Sequence, residues 1–160
     1  MEKISYRYAN INDIDQLVEL RILMQIEVNF ISDQISPELK MNYHDLVKTY
    51  LKNKLTNEDY ICAVAVSEQG KILATAGVCF YQKPPSITGG TGMVGYVTNV
   101  YTCTSHRRQG IGRELIKRLN EKAQEKKADK LHLGATSDGV NIYRNIGYKE
   151  PRFINLEIKF

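Results

Sequence analysis

The length, composition and charge of the chain exclude several classes of protein. Its 160 residues are 42% hydrophobic and 25% charged, which is ordinary for a soluble globular protein of one domain. No apolar run approaches the roughly 20 residues of a membrane-spanning helix, and the net charge of +4 is far from the dense basic patch of a nucleic-acid-binding protein.

The N-terminus and the cysteines indicate a compartment. Met1–Ser5 has no apolar signal-peptide core, so the expected location is the cytoplasm. The three cysteines are an odd number, and two of them lie in apolar runs, which favours free thiols over a disulfide framework. The histidines are scattered without metal-ligand spacing, so no metal is predicted. The cysteines are Cys62, Cys79 and Cys103.

The first third of the chain predicts one strand and two helices. Ile4–Tyr8 alternates as a short strand does. Asn10, with Asp13 three residues on, is an N-cap for a helix that runs to about Val28. Ser36, followed by proline, begins a second helix. Its apolar stripe comprises Leu39, Tyr43, Leu46, Val47, Tyr50 and Leu51.

Three apolar runs then predict antiparallel strands. The runs are Tyr60–Val66, Ile72–Tyr81 and Met93–Thr102. The sequence Ser-Glu-Gln-Gly separates the first two, and it is typical of a hairpin turn. The Pro- and Gly-rich segment Lys83–Gly92 is predicted to be a surface loop.

The rest of the chain alternates between helices and strands. Gly110 begins an amphipathic helix, Leu131–Ala135 is a strand, and Asp138–Asn145 is a short helix with Gly147 as its C-cap. Phe153–Phe160 is predicted to be a closing strand. The order indicates a single α/β domain over residues 1–160, with a mixed, mostly antiparallel sheet of six to seven strands and helices on both faces.

The turn after Met93–Thr102 predicts a phosphate site. The N–H groups at the start of the following helix have no partner within it, and the helix dipole adds partial positive charge. An anion binds such a place readily. Arg107 and Arg108 add charge at the rim, whereas the nearby Lys117 and Arg118 are interpreted as a solvated helix face. The segment comprises Arg107, Arg108, Gln109, Gly110, Ile111, Gly112 and Arg113.

Two other phosphate-binding motifs do not fit this segment. The P-loop requires Gly-Lys-Ser/Thr, which does not occur in the chain. The Rossmann fingerprint requires a third glycine, but Arg113-Glu114-Leu115 follows Gly112. A nucleotide-binding protein of either type is therefore disfavoured.

The segment resembles the acetyl-CoA signature of the GNAT family of N-acetyltransferases, R/Q-x-x-G-x-G/A. Arg107, Gly110 and Gly112 occupy its fixed places. Asn99–Thr102 is similar to the family's fourth strand, and Asn141–Tyr148 resembles its later motif, x-L-Y-x-x-x-G-F. The two motifs have the family's separation, and the predicted elements have its order.

The resemblance implies how acetyl-CoA would bind. In GNAT proteins the fourth and fifth strands separate at a bulge, which leaves backbone groups unpaired, and the pantetheine arm bonds to them like an added strand. This predicts that the backbone of Val100, Tyr101 and Thr102 holds pantetheine and the thioester carbonyl, with one N–H as an oxyanion donor. The backbone of Arg108–Arg113 would hold the pyrophosphate. The alternative for Val100–Thr102 is an ordinary central strand.

The resemblance also implies roles in catalysis. Attack of an amine on a thioester needs a base for the amine and an acid for the departing thiolate. Tyr143 matches the family's tyrosine acid, and its phenol is protonated at neutral pH; the alternative is a tyrosine packed under a short helix. Tyr96, Asn99 and Glu27 are weak candidates for the base. Ala135–Ser137 stands where many relatives carry a cofactor-contacting Asn, which a Thr or Ser hydroxyl can replace.

These features predict an N-acetyltransferase that moves an acetyl group from acetyl-CoA directly to a primary amine, on a small molecule or on a peptide or protein. The alternative is a non-catalytic acyl-CoA-binding sensor or scaffold of the same fold; Tyr143 favours the enzyme. Acceptor contacts are expected from Glu27–Pro37 and Lys83–Gly92, where Asp33 can attract a cationic amine or be solvated. Neither nucleic acid nor membrane is an expected partner. A homodimer that pairs through Phe153–Phe160 is a further hypothesis.

Overall fold

The computed structural model describes residues 3–29, 31, 35–88 and 90–160, and its elements follow the predicted order up to residue 148. The strands are β1 (Ser5–Tyr8), β2 (Tyr60–Val66), β3 (Ile72–Gln82), β4 (Met93–Thr102) and β5 (Lys130–His132). The helices are α1 (Ile14–Asn29), α2 (Pro37–Thr56), α3 (Ile111–Glu125) and α4 (Val140–Arg144). Among the described residues, no helix is both long enough and apolar enough to span a bilayer.

The predicted capping residue Asn10 begins the first helical segment. Its side chain accepts a hydrogen bond from the Asn12 N–H (2.9 Å), and the Asp13 carboxylate accepts one from the Asn10 N–H (2.8 Å). This reciprocal pair satisfies backbone donors that a helix leaves free. Asp13 also accepts two hydrogen bonds from the Arg7 guanidinium, at 2.7 and 2.8 Å. The cap therefore joins β1 to the start of α1.

The predicted start of α2 is confirmed, but much of its apolar stripe is exposed. The Leu39 N–H donates to the Ser36 side chain at 3.1 Å, and proline occupies the first turn. Leu51 is buried, and the partly buried Tyr43 packs against the same core. Leu39 and Leu46 remain exposed at 57% and 70%, because only one side of the stripe contacts the rest of the described chain.

The sheet separates two cores. Its order is β1-β2-β3-β4-β5, with antiparallel neighbours except for the parallel pair β4–β5. Alternate residues of β2 belong to different cores, as the two-residue period of a strand requires. α1 and α2 cover one face; on the other, small residues of β2 and β3 let α3 pack closely. Those small residues are Ala63, Ala65, Ala74 and Ala76.

The prediction of six to seven strands is wrong: the sheet of the described residues has five. The predicted closing strand Phe153–Phe160 is not a strand, and its apolar residues Ile154, Leu156 and Ile158 are 89%, 92% and 76% exposed. An alternating pattern forms a strand only where a partner edge is available. The strand at the β5 edge of the sheet has only three residues, fewer than the predicted Leu131–Ala135.

A bulge interrupts the pairing of β3 with β4. Three residues of β3, Thr75–Gly77, lie opposite four residues of β4, Thr98–Tyr101. One extra residue in β4 bends the strand and turns successive side chains to unexpected faces. Asn99 adopts φ 55° in this bulge, a left-handed conformation that Asn tolerates better than most residues.

Candidate active site

β4 and β5 separate before the bulge is reached. Their parallel pairing joins Val94–Tyr96 to Lys130–His132 and goes no further, whereas β4 continues to Thr102. Within the described residues, the backbone of β4 beyond Tyr96 therefore has no strand beside it on the β5 side. The separation and the bulge that the family resemblance implied near Val100 are both present. Unpaired strand edges of this kind can accept an extended ligand.

The start of α3 is open to a ligand. Gly110 is the N-cap residue at φ 79°, and no side chain caps the helix. A β-carbon at Gly110 would meet no atom within 4 Å, and one at Gly112 would meet only the Thr102 hydroxyl at 3.8 Å. Packing within the protein therefore does not require glycine at position 112. Free N–H groups, a helix dipole and empty space together fit a pyrophosphate, so the residues present suit acetyl-CoA.

The Arg107 side chain contacts protein groups instead of projecting at the helix start. Its guanidinium pairs with both carboxylate oxygens of Glu27 at 2.6 and 2.7 Å. Its Nε donates to the Thr102 carbonyl at 2.9 Å, and the group lies 5.4 Å from the Tyr101 ring centre. Arg107 thus joins α1 to the end of β4. The predicted phosphate contact of Arg107 stays a prediction, as do those of the exposed Arg108 and of the backbone of residues 109–113.

Tyr143 lies on the α3 face of the sheet. Its ring packs in the same core as Val100 and meets the Tyr148 ring edge-on at 5.8 Å. Burial raises the pKa of the Tyr143 phenol, which keeps it protonated at neutral pH. No described residue hydrogen-bonds its hydroxyl, whereas the Tyr148 hydroxyl donates to Asn120 at 2.9 Å. A half-buried, protonated hydroxyl that no described residue engages is suited to act on a bound ligand.

Two of the three predicted candidates for the base, Glu27 and Asn99, are poorly suited to that role, and Tyr96 stays a prediction. Hydrogen bonding to Arg107 lowers the pKa of Glu27, which weakens it as a base. The Asn99 amide has no basic nitrogen, and it donates to the Tyr60 hydroxyl at 2.8 Å. Asp33, predicted as an acidic acceptor contact, lies outside the described residues.

Thr136, the predicted replacement for the cofactor-contacting Asn of relatives, has a structural partner. Its hydroxyl accepts a hydrogen bond from the Gly139 N–H at 3.2 Å, and its carbonyl accepts from the same N–H at 3.1 Å. Thr136 therefore shapes the turn that leads into α4. A contact between its hydroxyl and the cofactor stays a prediction.

Sequence reasoning missed a ring cluster at the point where β4 and β5 separate. The His132 Nε2 and the Tyr81 hydroxyl share a hydrogen bond of 2.7 Å, and the Tyr96 ring centre lies 5.1 Å from that of His132. Burial, followed by the charges of Lys130 and Lys83, lowers the pKa of His132, so its imidazole is neutral at pH 7. These rings come from three strands, so the cluster becomes visible only when the strand register is known.

Sequence reasoning also missed a polar network that joins α1 to the bulge. Arg21 donates from Nε to the Tyr43 hydroxyl at 3.1 Å and from Nη1 to the side-chain amide oxygen (Oδ1) of Asn99 at 2.6 Å. Asn99 in turn donates to the buried Tyr60 hydroxyl. One sequence signal was present: Arg21 follows the apolar Leu17 and Val18 at helical spacing, where a core residue is expected.

The amino-acid sequence shows which family the chain belongs to. The sequence matches the profile of the acetyltransferase (GNAT) family over residues 28–148. The chain therefore belongs to the GNAT family. No protein of curated function matches it.

Solved structures with the same fold agree. A predicted acetyltransferase from Clostridium acetobutylicum, determined with acetyl-CoA, is 30% identical; the match covers 97% of this chain and 96% of that one, with a TM-score of 0.81. A GCN5-related N-acetyltransferase from Ralstonia eutropha is 24% identical over 98% and 99% of the chains, with a TM-score of 0.79. An aminoglycoside acetyltransferase from an uncultured soil metagenomic sample, in complex with sisomicin, is 17% identical over 98% and 96%, with a TM-score of 0.71.

Proposed function

We propose that this protein transfers the acetyl group of acetyl-CoA directly to a primary amine. One observation carries the proposal: the unpaired backbone of β4 beyond its bulge leads into the open start of α3. The backbone of Val100, Tyr101 and Thr102 would bind the pantetheine arm, and that of Arg108–Arg113 the pyrophosphate. The structure determined with acetyl-CoA, which has the same fold and 30% identity, supports this choice of ligand.

Acetyl-CoA supplies an acetyl group activated as a thioester. One backbone N–H of Val100–Thr102 would donate to the thioester carbonyl oxygen, where negative charge develops. Tyr143 would donate its proton to the departing sulfur, since burial keeps the phenol protonated. Its hydroxyl forms no hydrogen bond with the described residues that it would lose in doing so. A non-catalytic sensor of acyl-CoA would not need this free acid, so Tyr143 favours the enzyme.

His132 would remove the proton from the amine. Its ring lies with Tyr96 at the last paired position before the strands separate, and its lowered pKa keeps it neutral. With Nε2–H donating to Tyr81, the lone pair of Nδ1 is free to take a proton. Val100 lies four positions after Tyr96, a distance of about 13 Å at ~3.3 Å per residue. The proton would therefore pass through ordered water.

A thermal-shift titration with acetyl-CoA, CoA, ATP and NAD tests the ligand. A ligand that binds only the folded state raises the Tm by mass action. We expect acetyl-CoA and CoA to raise the Tm while ATP and NAD do not. Turnover is then measured as the release of CoA thiol across a set of amines. A Tm shift with NAD or ATP but not with CoA would contradict the proposal, and binding without release of CoA thiol for any amine would favour the sensor.

A further inference from the structure

We propose that the amine acceptor carries an anionic group, a carboxylate or phosphate, which the Arg21 guanidinium binds. The inference rests on the proposed acetyl transfer and adds the chemical class of the acceptor to it. Three observations support it: the position of Arg21 on α1, the neutrality of its partners, and its direct contact with the bulge.

Arg21 occupies the side of α1 that faces the sheet. Leu17 and Val18, four and three residues earlier, are 4% and 0% exposed, and residues at this spacing share one face of a helix. Arg21 itself is only partly exposed. A charged group in such a position is normally paired with an opposite charge.

The partners of Arg21 are neutral. They are the Tyr43 hydroxyl and the Asn99 amide oxygen; the Gln25 amide, in its better-satisfied orientation, adds its oxygen at 3.3 Å from Nη1 and Nη2. Within the described chain, no carboxylate forms an ion pair with Arg21, and Glu27 on the same helix is paired with Arg107. A guanidinium has five N–H donors and a full positive charge. These contacts use four of the donors, two of them in the longer 3.3 Å contacts with Gln25, so the charge and one N–H of Nη2 remain available to a ligand.

The contact with Asn99 sets where that charge lies. Asn99 belongs to the bulge, and its side chain is on the α1 face, whereas Val100 packs into the core on the α3 face. Val100 is also where the thioester would be bound. An amine that approaches it from the α1–α2 face would therefore pass Arg21. The planar fork of a guanidinium fits a carboxylate or a phosphate in two-point hydrogen bonding. One oxygen would accept from the remaining Nη2 N–H, and the second would replace a 3.3 Å contact with Gln25.

Matched pairs of amines test the inference. Phenylalanine with phenethylamine, and histidine with histamine, differ by one carboxylate; O-phosphoethanolamine with ethanolamine differs by one phosphate. We expect the acidic member of at least one pair to have a kcat/KM at least about tenfold higher. In Arg21→Gln this ratio should fall towards one, while the thermal shift with acetyl-CoA stays unchanged. The two amines of a pair also differ in basicity, but this difference is the same for the wild type and for Arg21→Gln. Comparing the ratios of the two proteins therefore removes its effect.

Two further variants sharpen the test. Arg118→Gln removes a guanidinium that pairs with Glu114 on α3, and it should leave the ratio unchanged. Asn99→Gly keeps a left-handed backbone position while removing the amide that holds Arg21, so it should lower the ratio. If Arg21→Gln does not fold, Asn99→Gly carries the test.

The outcomes separate this inference from the proposed function. Absence of a thermal shift with acetyl-CoA would overturn the proposed function itself. A protein that binds acetyl-CoA but prefers the neutral member of every pair, or acetylates no acidic member, would overturn only the anionic acceptor. A preference for acidic members that persists in Arg21→Gln and Asn99→Gly would overturn the role of Arg21.

Discussion

Tyr143 and Tyr148 meet edge-on beside α4, and they differ in whether the hydroxyl group has a hydrogen-bond partner in the described part of the chain. Tyr143 and Tyr148 lie in the same core, with ring centres 5.8 Å apart. The Tyr148 hydroxyl donates to Asn120, whereas the Tyr143 hydroxyl has no partner among the described residues. Removing each oxygen should therefore have opposite consequences for stability and turnover.

Tyr143→Phe should lower kcat by roughly 100-fold, because the departing sulfur loses its proton donor. Its Tm and its thermal shift with acetyl-CoA should barely change, since no protein hydrogen bond is lost. Tyr148→Phe is the matched control: it should lose about 1 kcal/mol of unfolding free energy with its hydrogen bond and keep its kcat. Turnover by Tyr143→Phe at the wild-type rate would contradict the assignment of the acid.

The lowered pKa of His132 predicts the acidic side of the pH profile. In the proposed mechanism the neutral imidazole takes the proton, so kcat/KM should fall as the pH drops through the His132 pKa, below its usual value of about 6.5. His132→Gln should lower kcat/KM by roughly 100-fold and remove this acidic limb. An acidic limb that is unchanged in His132→Gln would show that another group takes the proton.

Gly112 predicts a separation of cofactor binding from folding. A side chain at this position would enter open space next to the Thr102 hydroxyl, the place assigned to the pyrophosphate. Gly112→Glu should therefore abolish the thermal shift with acetyl-CoA and leave the unliganded protein folded by circular dichroism. Lys117→Glu, the same substituent on the exposed side of α3, is the control. If Gly112→Glu still binds acetyl-CoA, the pyrophosphate does not bind at the start of α3.

At the scale of elements, the start of α1 depends on one carboxylate. Asp13 closes the cap at Asn10 and accepts both hydrogen bonds from Arg7 on β1. Asp13→Ala should lower the unfolding free energy by about 1–3 kcal/mol in urea denaturation. Asp15→Ala removes only an exposed contact with Lys48 and should have a much smaller effect. Equal losses in the two variants would show that the cap contributes little.

The pKa of Asp13 gives this contribution a pH dependence. Hydrogen bonding to Arg7 lowers that pKa below its ordinary value of 3.8. A lowered folded-state pKa means that the stabilisation is complete above the unfolded-state value and is lost as the pH falls through the folded-state one. The difference in stability between wild type and Asp13→Ala should therefore shrink below about pH 4.

At the scale of the whole molecule, the sheet divides the proposed chemistry between its two faces. Tyr143 lies on the α3 face, whereas Arg21 and His132 lie on the α1–α2 face. The gap between β4 and β5 connects the two faces of the sheet. The bulge places the Asn99 side chain on one face and the Val100 side chain on the other. The proposed reaction thus depends on the place where β4 stops pairing with β5 and bulges away from β3.

The exposed segment after α4 predicts self-association. Ile154, Leu156 and Ile158 alternate with polar residues and are largely exposed, as in a strand without a partner. Pairing with a second copy would cover them. We expect the full chain to be a homodimer in light scattering, and a chain that ends at Pro151 to be a monomer that still binds acetyl-CoA. A monomeric full-length protein would contradict this prediction.

The sequence alone determined the features that depend on a few neighbouring residues. Asn10 and Ser36 begin helices as predicted, and β4 spans the predicted Met93–Thr102. Gly110 and Gly112 begin α3 with open space in front of them. Caps, turns and glycine conformations are local, because the groups that satisfy them lie within about four residues.

Only the tertiary structure decided the features that depend on register. Phe153–Phe160 has the pattern of a strand but pairs with none of the five described strands, so a local signal was not sufficient. His132 meets Tyr81 and Tyr96 only because three strands align, and Arg21 reaches Asn99 only because the bulge turns that side chain towards α1. In a strand, a shift of one residue moves each side chain to the other face. The pairing of distant segments therefore decides which polar groups meet, and that information is not local in the chain.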